Sequence, residues 1–188
     1  MITIPSDEQI RAWHEEFAPT REAFDSVYTH CRIVCELAEQ LHTEGDLELI
    51  RAGSLLHDIG VYRLGAGEYI RHGVLGHELL RGLGLPEELS RFCSHHTGVG
   101  LSSEDVRRQG LPLPIADYLP ETVEEELVMY ADKFHSKSSP PAFVSAESYS
   151  ARAGLFGADK VHRFAELRER LGEPDLEAAS RRFGHRIV

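Results

Sequence analysis

The chain is expected to be all-α. Three observations carry that reading. Apolar residues recur at three- and four-residue spacing in segment after segment, several segments open on a side-chain capping signal, and no stretch alternates apolar and polar residues as a half-buried strand would.

The elements follow in order. Ser6 and Gln9 form a capping signal that opens a short helix running through Phe17. A longer helix is expected from about Ala23 to His42, with Val27, Val34, Leu37, Ala38 and Leu41 in one stripe and His30 in the same stripe. A third spans 46–59, apolar at Leu49, Ala52, Leu55, Leu56 and Ile59, and ends at Gly60. A fourth covers 69–82 and stops at Gly82 and Gly84. Pro86 starts a fifth, to about His95, and Ser102 or Ser103 caps a short sixth to Gln109. Thr122 and Glu125 open a helix to about His135, whose apolar face is Val123, Leu127, Tyr130, Ala131 and Phe134. Residues 136–150 are rich in Ser, Pro and Ala around Pro140-Pro141, a composition that predicts a loop. A helix over 158–171 and a short one after Pro174 complete the chain. The expected organisation is a core domain over 1–137, a linker over 138–150 and a C-terminal helical appendage over 151–188.

Composition excludes several function classes. With 188 residues the chain is long enough for a substantial core. Its net charge of -11 argues against a nucleic-acid coat or a membrane-surface binder, both of which need broad basic patches. Three cysteines cannot make the disulfide framework of a small secreted domain, and there is no asparagine to carry an N-linked glycan. No basic, apolar leader opens the sequence and no run approaches 18 apolar residues, so a cytoplasmic protein is expected. The 11 histidines are the unusual entry.

Seven residues stand out on predicted helices or at their ends: His30, the pair His57-Asp58, His72, the pair His95-His96, and Asp132. A helical bundle can aim such side chains at one interior point. Buried charge is costly unless paired or bound to a metal. A mixed nitrogen and oxygen set suits Zn, Fe, Mn, Co or Ni better than Ca, which prefers oxygen alone. Any one of these residues taken singly reads as easily as a hydrogen-bonded core residue or a helix-end feature.

The string Leu55-Leu56-His57-Asp58-Ile59-Gly60 resembles the signature of the HD-domain superfamily of metal-dependent phosphohydrolases, whose pattern is H…HD…D. In this chain the pattern falls on His30, His57-Asp58 and Asp132. The segment from Arg71 to Leu80 resembles the His-containing helix of extended members, and His95-His96-Thr97-Gly98 resembles their paired-histidine segment. The resemblance spans about residues 23–137 and implies an HD-domain helical bundle. It implies a first metal on His30, His57, Asp58 and Asp132, and a second on His72, His95 and His96 with Asp58 bridging. One or two divalent transition ions would activate a water against phosphorus. Two departures matter. Val61 follows His-Asp-Ile-Gly where many members carry Lys or Arg, leaving Arg63 as a candidate phosphate contact. Gly98-Val99-Gly100-Leu101 replaces the motif of cyclic-di-GMP phosphodiesterases, which disfavours that subfamily.

His77, with Glu78 beside it, is a candidate general acid, though the pair reads more readily as surface, and Lys133, like Arg71, is a candidate phosphate contact that reads equally as surface. Cys31, Cys35 and Cys93 are expected to be buried, and Gly65-Ala66-Gly67 lacks the ending of a P-loop. His14, His42, His135, His162 and His185 are expected to be structural or exposed. The leading expectation is a metal-dependent phosphohydrolase acting on a nucleotide or other small phosphorylated metabolite. A mixed-valence di-iron oxygenase of HD type and a non-catalytic nucleotide or metal sensor are the alternatives. Oligomeric state stays open, a homodimer included.

Overall fold

A computed structural model describes residues 3–188. The fold is all-α, as the periodicity predicts: among the described residues ten α-helices carry it, and one sheet has three strands of two residues each. The helices are α1 (Asp7–Phe17), α2 (Arg21–Leu41), α3 (Leu47–Leu56), α4 (His72–Gly82), α5 (Glu87–Ser94), α6 (Ser103–Gln109), α7 (Val123–Asp132), α8 (Ala146–Ala153), α9 (Ala158–Leu171) and α10 (Leu176–Phe183).

Most starts are set by side-chain caps. Ser6, Thr20, Asp46, Ser102, Thr122, Ser145 and Asp175 each accept a hydrogen bond from a backbone N–H of the first turn. Thr20 therefore starts α2 two residues earlier than the apolar stripe alone suggests. Helix ends differ more from expectation. The third helix stops at Leu56, so His57 and Asp58 lie in a turn that leads into a 3-10 turn over Ile59–Arg63. A second 3-10 turn, Tyr69–Arg71, precedes α4, and α7 ends at Asp132 rather than at His135.

The core is built around α2, α3, α5 and α7. Ile33, Val34, Leu37, Ile50, Leu56, Phe92, Tyr130 and Phe134 are nearly or wholly excluded from solvent there. α4 packs mainly on α5 and on the Ile59–Arg63 turn. That contact requires glycine at two points. A Cβ on Gly60 would lie 2.1 Å from the His72 carbonyl oxygen and 2.3 Å from the Gly76 nitrogen, and one on Gly76 would lie 2.9 Å from Cys93 Sγ. The glycine after His57-Asp58-Ile59 thus lets backbone meet backbone and brings the start of α4 beside Asp58.

The expected division into domain, linker and appendage is not how the core is assembled. Phe143 and Ala146, inside the stretch expected to be a free linker, belong to the same buried cluster as α2 and α7, together with Phe164, Leu167 and Ala179 from the C-terminal helices. The expected loop holds β2 (Ala142–Phe143) and most of α8. β1 (His135–Ser136) pairs antiparallel with β2, His135 opposite Phe143, and β2 pairs parallel with β3 (Arg186–Ile187), Phe143 opposite Ile187. Two-residue strands carry too little alternation to be read from sequence. Their effect is to fasten the chain's last residues next to the end of α7. Among the described residues no helix is long and apolar enough to cross a membrane.

Candidate metal centre

Five parts of the chain deliver side chains to one interior point. α2 contributes His30, the turn after α3 contributes His57 and Asp58, the first residue of α4 is His72, the residue two beyond α5 is His96, and α7 ends on Asp132. All are buried except Asp132, whose side chain keeps 15% of its exposure. Their ligand atoms form three overlapping groups, each within 4.8 Å: His30, His57 and Asp58; His57, His96 and Asp132; Asp58, His72 and His96.

The histidine hydrogen bonds determine what this point can hold. Nδ1 of His57 lies 2.7 Å from the Ser54 carbonyl, Nδ1 of His72 2.7 Å from the Tyr69 carbonyl, and Nδ1 of His96 2.9 Å from the Phe92 carbonyl. A carbonyl only accepts, so each Nδ1 carries the hydrogen and, in the neutral ring, each Nε2 presents a bare lone pair. Those lone pairs face one another. His72 Nε2 and His96 Nε2 are 2.9 Å apart, and His57 Nε2 is 3.3 Å from His30 Nε2. Asp58 Oδ1 is buried with no hydrogen-bond partner, although His72 Nε2 and His96 Nε2 stand 3.3 and 3.5 Å away. Acceptors converging on acceptors are mutually repulsive, and a cation between them removes the repulsion. The donor set therefore fits a divalent transition metal.

Protonation points the same way at His30, His72 and His96, while His57 is the exception. Burial pushes His30 and His96 down to about 4, and lowers His72 as well, so all three are neutral near pH 7. Asp58 and Asp132 stay well below the usual carboxylate range. Burial works against ionisation in both, but Lys137 and His57 outweigh it at Asp58, and Lys133 with His30 and His57 outweighs it at Asp132. His57 moves upward, because Asp58 overrides the effect of its burial.

Two lysines border the carboxylates. Lys133 Nζ donates to Asp132 Oδ2 at 2.6 Å and to the His96 carbonyl at 2.8 Å. Lys137 Nζ donates to Asp58 Oδ2. Both lysines line an open mouth of about 400 Å3 over His30 and Asp132, with Tyr69, Tyr149 and Arg152 on its walls. Behind His30, Nδ1 contacts His135 Nδ1 at 2.8 Å, and His135 Nε2 contacts His185 Nδ1 at 2.9 Å. A chain of three imidazoles therefore runs from the centre to the C-terminal strand.

The seven-residue set expected from sequence needs one correction. His95 is not with the others. It follows Ser94 as the cap residue of α5 and turns away from the centre, with Nδ1 3.6 Å from Glu125 Oε2 and its ring edge-on to Tyr118. Three further candidates are also placed differently from expectation. His77 lies five residues after His72, about 140° around the helix, and bonds Ser94 Oγ at 2.9 Å with Glu87 Oε1 at 3.3 Å. Glu78 is exposed on the same helix. Arg63 is exposed, and the cation beside Asp58 is Lys137 instead. Lys133 does reach the centre, but through Asp132 and a carbonyl.

Sequence reasoning missed Lys137, His135 and His185. The period-two run Lys133, His135, Lys137 after α7 was a readable signal for the first two. His185 had none, since only the C-terminal strand pairing brings it close. His14 is wholly buried, bonded to the Leu55 carbonyl at 2.8 Å and the Tyr62 hydroxyl at 2.9 Å, in a structural role. The three cysteines are free and buried, as expected.

Comparison with known proteins gives the family. The uncharacterized protein MJ0778 of Methanocaldococcus jannaschii is 43% identical over 115 residues, covering 57% of this chain and 65% of that one. A tRNA (cytidine(56)-2'-O)-methyltransferase of Thermoplasma volcanium is 33% identical over 147 residues, covering 77% of this chain and 41% of that protein. The one from Picrophilus torridus is 34% identical over 62% of this chain and 33% of its own length. The chain thus spans less than two thirds of each relative. Among solved structures, the HD domain of the Listeria monocytogenes phosphodiesterase PgpH superposes with a TM-score of 0.52, covering 89% of this chain and 87% of that one. Its complex with cyclic-di-AMP superposes at 0.53, covering 96% and 99%. Identity is 15% in both, a likeness of fold. The HD domain family matches residues 27–137, a span that contains every residue of the centre from His30 to Lys137 and more than half of the sequence, and the chain belongs to that family.

Proposed function

We propose that this chain is a divalent-metal-dependent phosphohydrolase acting on a small phosphorylated substrate, of the nucleotide class. The observation that carries the reading is the division of labour at Asp58. Its Oδ2 faces His30 Nε2 at 3.3 Å and His57 Nε2 at 3.7 Å, while its Oδ1 faces His72 and His96. One carboxylate thus serves two adjacent positions. His30, His57, Asp58 and Asp132 would hold the first ion, and Asp58, His72 and His96 the second. A bound divalent ion supplies positive charge that polarises a phosphoryl oxygen and makes a water acidic enough to attack phosphorus near neutral pH.

The chain's own groups do the rest. The carbonyls of Ser54, Tyr69 and Phe92 lock three imidazoles in one tautomer, so the donor atoms need no rearrangement. Lys137 and Lys133 present ammonium groups at the mouth, where the non-bridging phosphate oxygens would sit, and Arg152 adds a third cation at its rim. Burial of the centre keeps bulk water from screening these charges. The cyclic-di-AMP bound by PgpH supports the nucleotide class by likeness of fold alone.

The test is direct. The purified chain is assayed for metal content and for phosphate release from a panel of nucleotides and sugar phosphates. Expected are one or two equivalents of transition metal, and hydrolysis that Asp58→Ala abolishes. Background metal, or unchanged turnover in Asp58→Ala, refutes it. Iron accompanied by O₂ consumption without phosphate release would instead favour oxygenase chemistry at the same residues, and tight nucleotide binding without turnover would favour a sensor.

A further inference from the structure

Of the four histidines assigned to the metals, His30 differs in what holds its far nitrogen. Backbone carbonyls fix the Nδ1 hydrogens of His57, His72 and His96. His30 Nδ1 instead meets His135 Nδ1 at 2.8 Å, and His135 Nε2 meets His185 Nδ1 at 2.9 Å. Ring centroids in the two pairs are 5.1 and 5.2 Å apart, with planes inclined by 28° and 21°. With nitrogens in contact at that separation, the rings lie side by side, the arrangement an N–H···N bond requires.

Such a bond needs one N–H and one lone pair, and a neutral imidazole carries one of each. Fixing the hydrogen on one ring therefore fixes it on all three. Burial holds His135 far below the ordinary histidine range, down to about 2, so its ring is neutral. Two arrangements exist. In the inward one, hydrogens sit on His30 Nε2, His135 Nδ1 and His185 Nδ1. In the outward one, they sit on His30 Nδ1, His135 Nε2 and His185 Nε2. Without a cation the centre favours the inward arrangement, because His30 Nε2 lies 3.0 Å from Asp132 Oδ1 and 3.3 Å from Asp58 Oδ2, oxygens that only accept. A metal ligand must present a bare Nε2, which only the outward arrangement provides. That arrangement ends on the lone pair of His185 Nδ1. The fold holds His185 in place: Ser180 Oγ donates to its carbonyl at 2.7 Å, and β3 begins at the next residue.

We propose that His30, His135 and His185 form a tautomer relay, in which His185 is a positioning residue that lets His30 take the form a metal requires. On loading, the His30 Nε2 hydrogen leaves to water, the His135 Nδ1 hydrogen passes to His30 Nδ1, and the His185 Nδ1 hydrogen passes to His135 Nε2. His185 Nε2 takes one hydrogen from water, so none is gained or lost overall. The proposal rests on the metal-centre reading and not on phosphate hydrolysis.

Nitrogen NMR of the full chain labelled at histidine tells a hydrogen-bearing ring nitrogen from a bare one. It is run at about pH 8, where an ordinary histidine is neutral, without metal and with Zn²⁺ as the probe. Zn²⁺ should move the His185 hydrogen from Nδ1 to Nε2. By chelator competition, His185→Leu should weaken Zn²⁺ binding about 10–100-fold, whereas His185→Asn, whose Oδ1 accepts as Nδ1 does, should restore most of it. Circular dichroism and thermal unfolding report whether the variants fold; if they do not, the NMR of the parent decides. Zn²⁺ bound with the His185 tautomer unchanged overturns the relay and leaves the metal centre standing, as does Zn²⁺ affinity in folded His185→Leu equal to the parent's, or in folded His185→Asn as weak as in His185→Leu. No Zn²⁺ binding by the parent overturns both.

Discussion

Replacing Gly60 with alanine tests how the fold and the metal centre depend on each other. The added Cβ would lie 2.1 Å from the His72 carbonyl oxygen, 2.3 Å from the Gly76 nitrogen and 2.6 Å from the Gly76 Cα. All three are backbone atoms of α4, so no side chain can rotate away. Ordinary carbon contacts lie at about 3.5–4.0 Å, so the start of α4 must retreat by roughly 1 Å or more. Overpacking a close-packed interior costs about 1–3 kcal/mol, and a contact with three backbone atoms belongs at the upper end. For a chain of this size, about 3 kcal/mol lowers Tm by roughly 6–12 °C. The same retreat carries His72 away from His96 and Asp58, now 2.9 and 3.3 Å from its Nε2. Metal held by His72 should therefore be lost first. Thermal unfolding and metal analysis by mass spectrometry read both effects. A Gly60→Ala variant that melts within about 2 °C of the parent and keeps its full metal content refutes the reasoning.

Other perturbations reach different parts of the same structure. His14 is wholly buried and pushed down to about 4, chiefly by that burial, so the unfolded chain takes up the proton first as pH falls. Its contribution is complete above about pH 6.5 and is lost between there and about pH 4, amounting to about 3 kcal/mol. Urea unfolding of the parent and of His14→Gln across that range should show the gap between them narrowing; a constant gap contradicts it. His135→Phe removes the imidazole behind His30 and should weaken metal binding by about 10–100-fold, measured by competition with a chelator; unchanged affinity would make the imidazole chain mere packing. Lys137→Met should lower kcat/KM about 10–100-fold, the worth of one charged hydrogen bond. It should also destabilise the metal-free chain more than the metal-loaded one, because Asp58 then loses its only lysine partner. Equal loss in both forms argues against that pairing.

What the sequence made legible is what is local. Capping residues and 3.6-residue stripes announce α1 to α7, and they do so because a helix satisfies its own backbone. His57-Asp58 and Gly60 could be picked out because three consecutive constraints coincide there: a helix end, two polar side chains turned inward, and a backbone approach that excludes Cβ. The rest depends on contacts distant in sequence. His95 and His96 are equivalent as letters, and only the folded chain separates them, His95 facing Glu125 on α7 and His96 Nδ1 bonding the Phe92 carbonyl. His135 and His185 lie fifty residues apart, and only the β1–β2–β3 pairing joins them. Arg63 was the nearer cation to Asp58 along the chain, yet the 3-10 turn points it to solvent while β1 brings up Lys137.

Charge at the centre explains why a strongly acidic chain can attend to an anion. Asp58 and Asp132 carry two negative charges, and Lys137 and Lys133 carry two positive charges against them. These two ion pairs balance each other, and each lysine is occupied. A divalent cation held by the two carboxylates changes the sum, because the same aspartates can no longer hold both it and the ammonium groups at full strength. The lysines are then in surplus at the mouth, and the counter-charge that suits them is a phosphate. Lys133 remains tethered through the His96 carbonyl, whereas Lys137 is held by the Asp58 carboxylate, with the Tyr69 ring 5.2 Å from its Nζ. Of the two, Lys137 is the one free to follow the substrate. The net charge of -11 lies elsewhere, on the exposed carboxylates of the helices, where water and salt screen it from the centre.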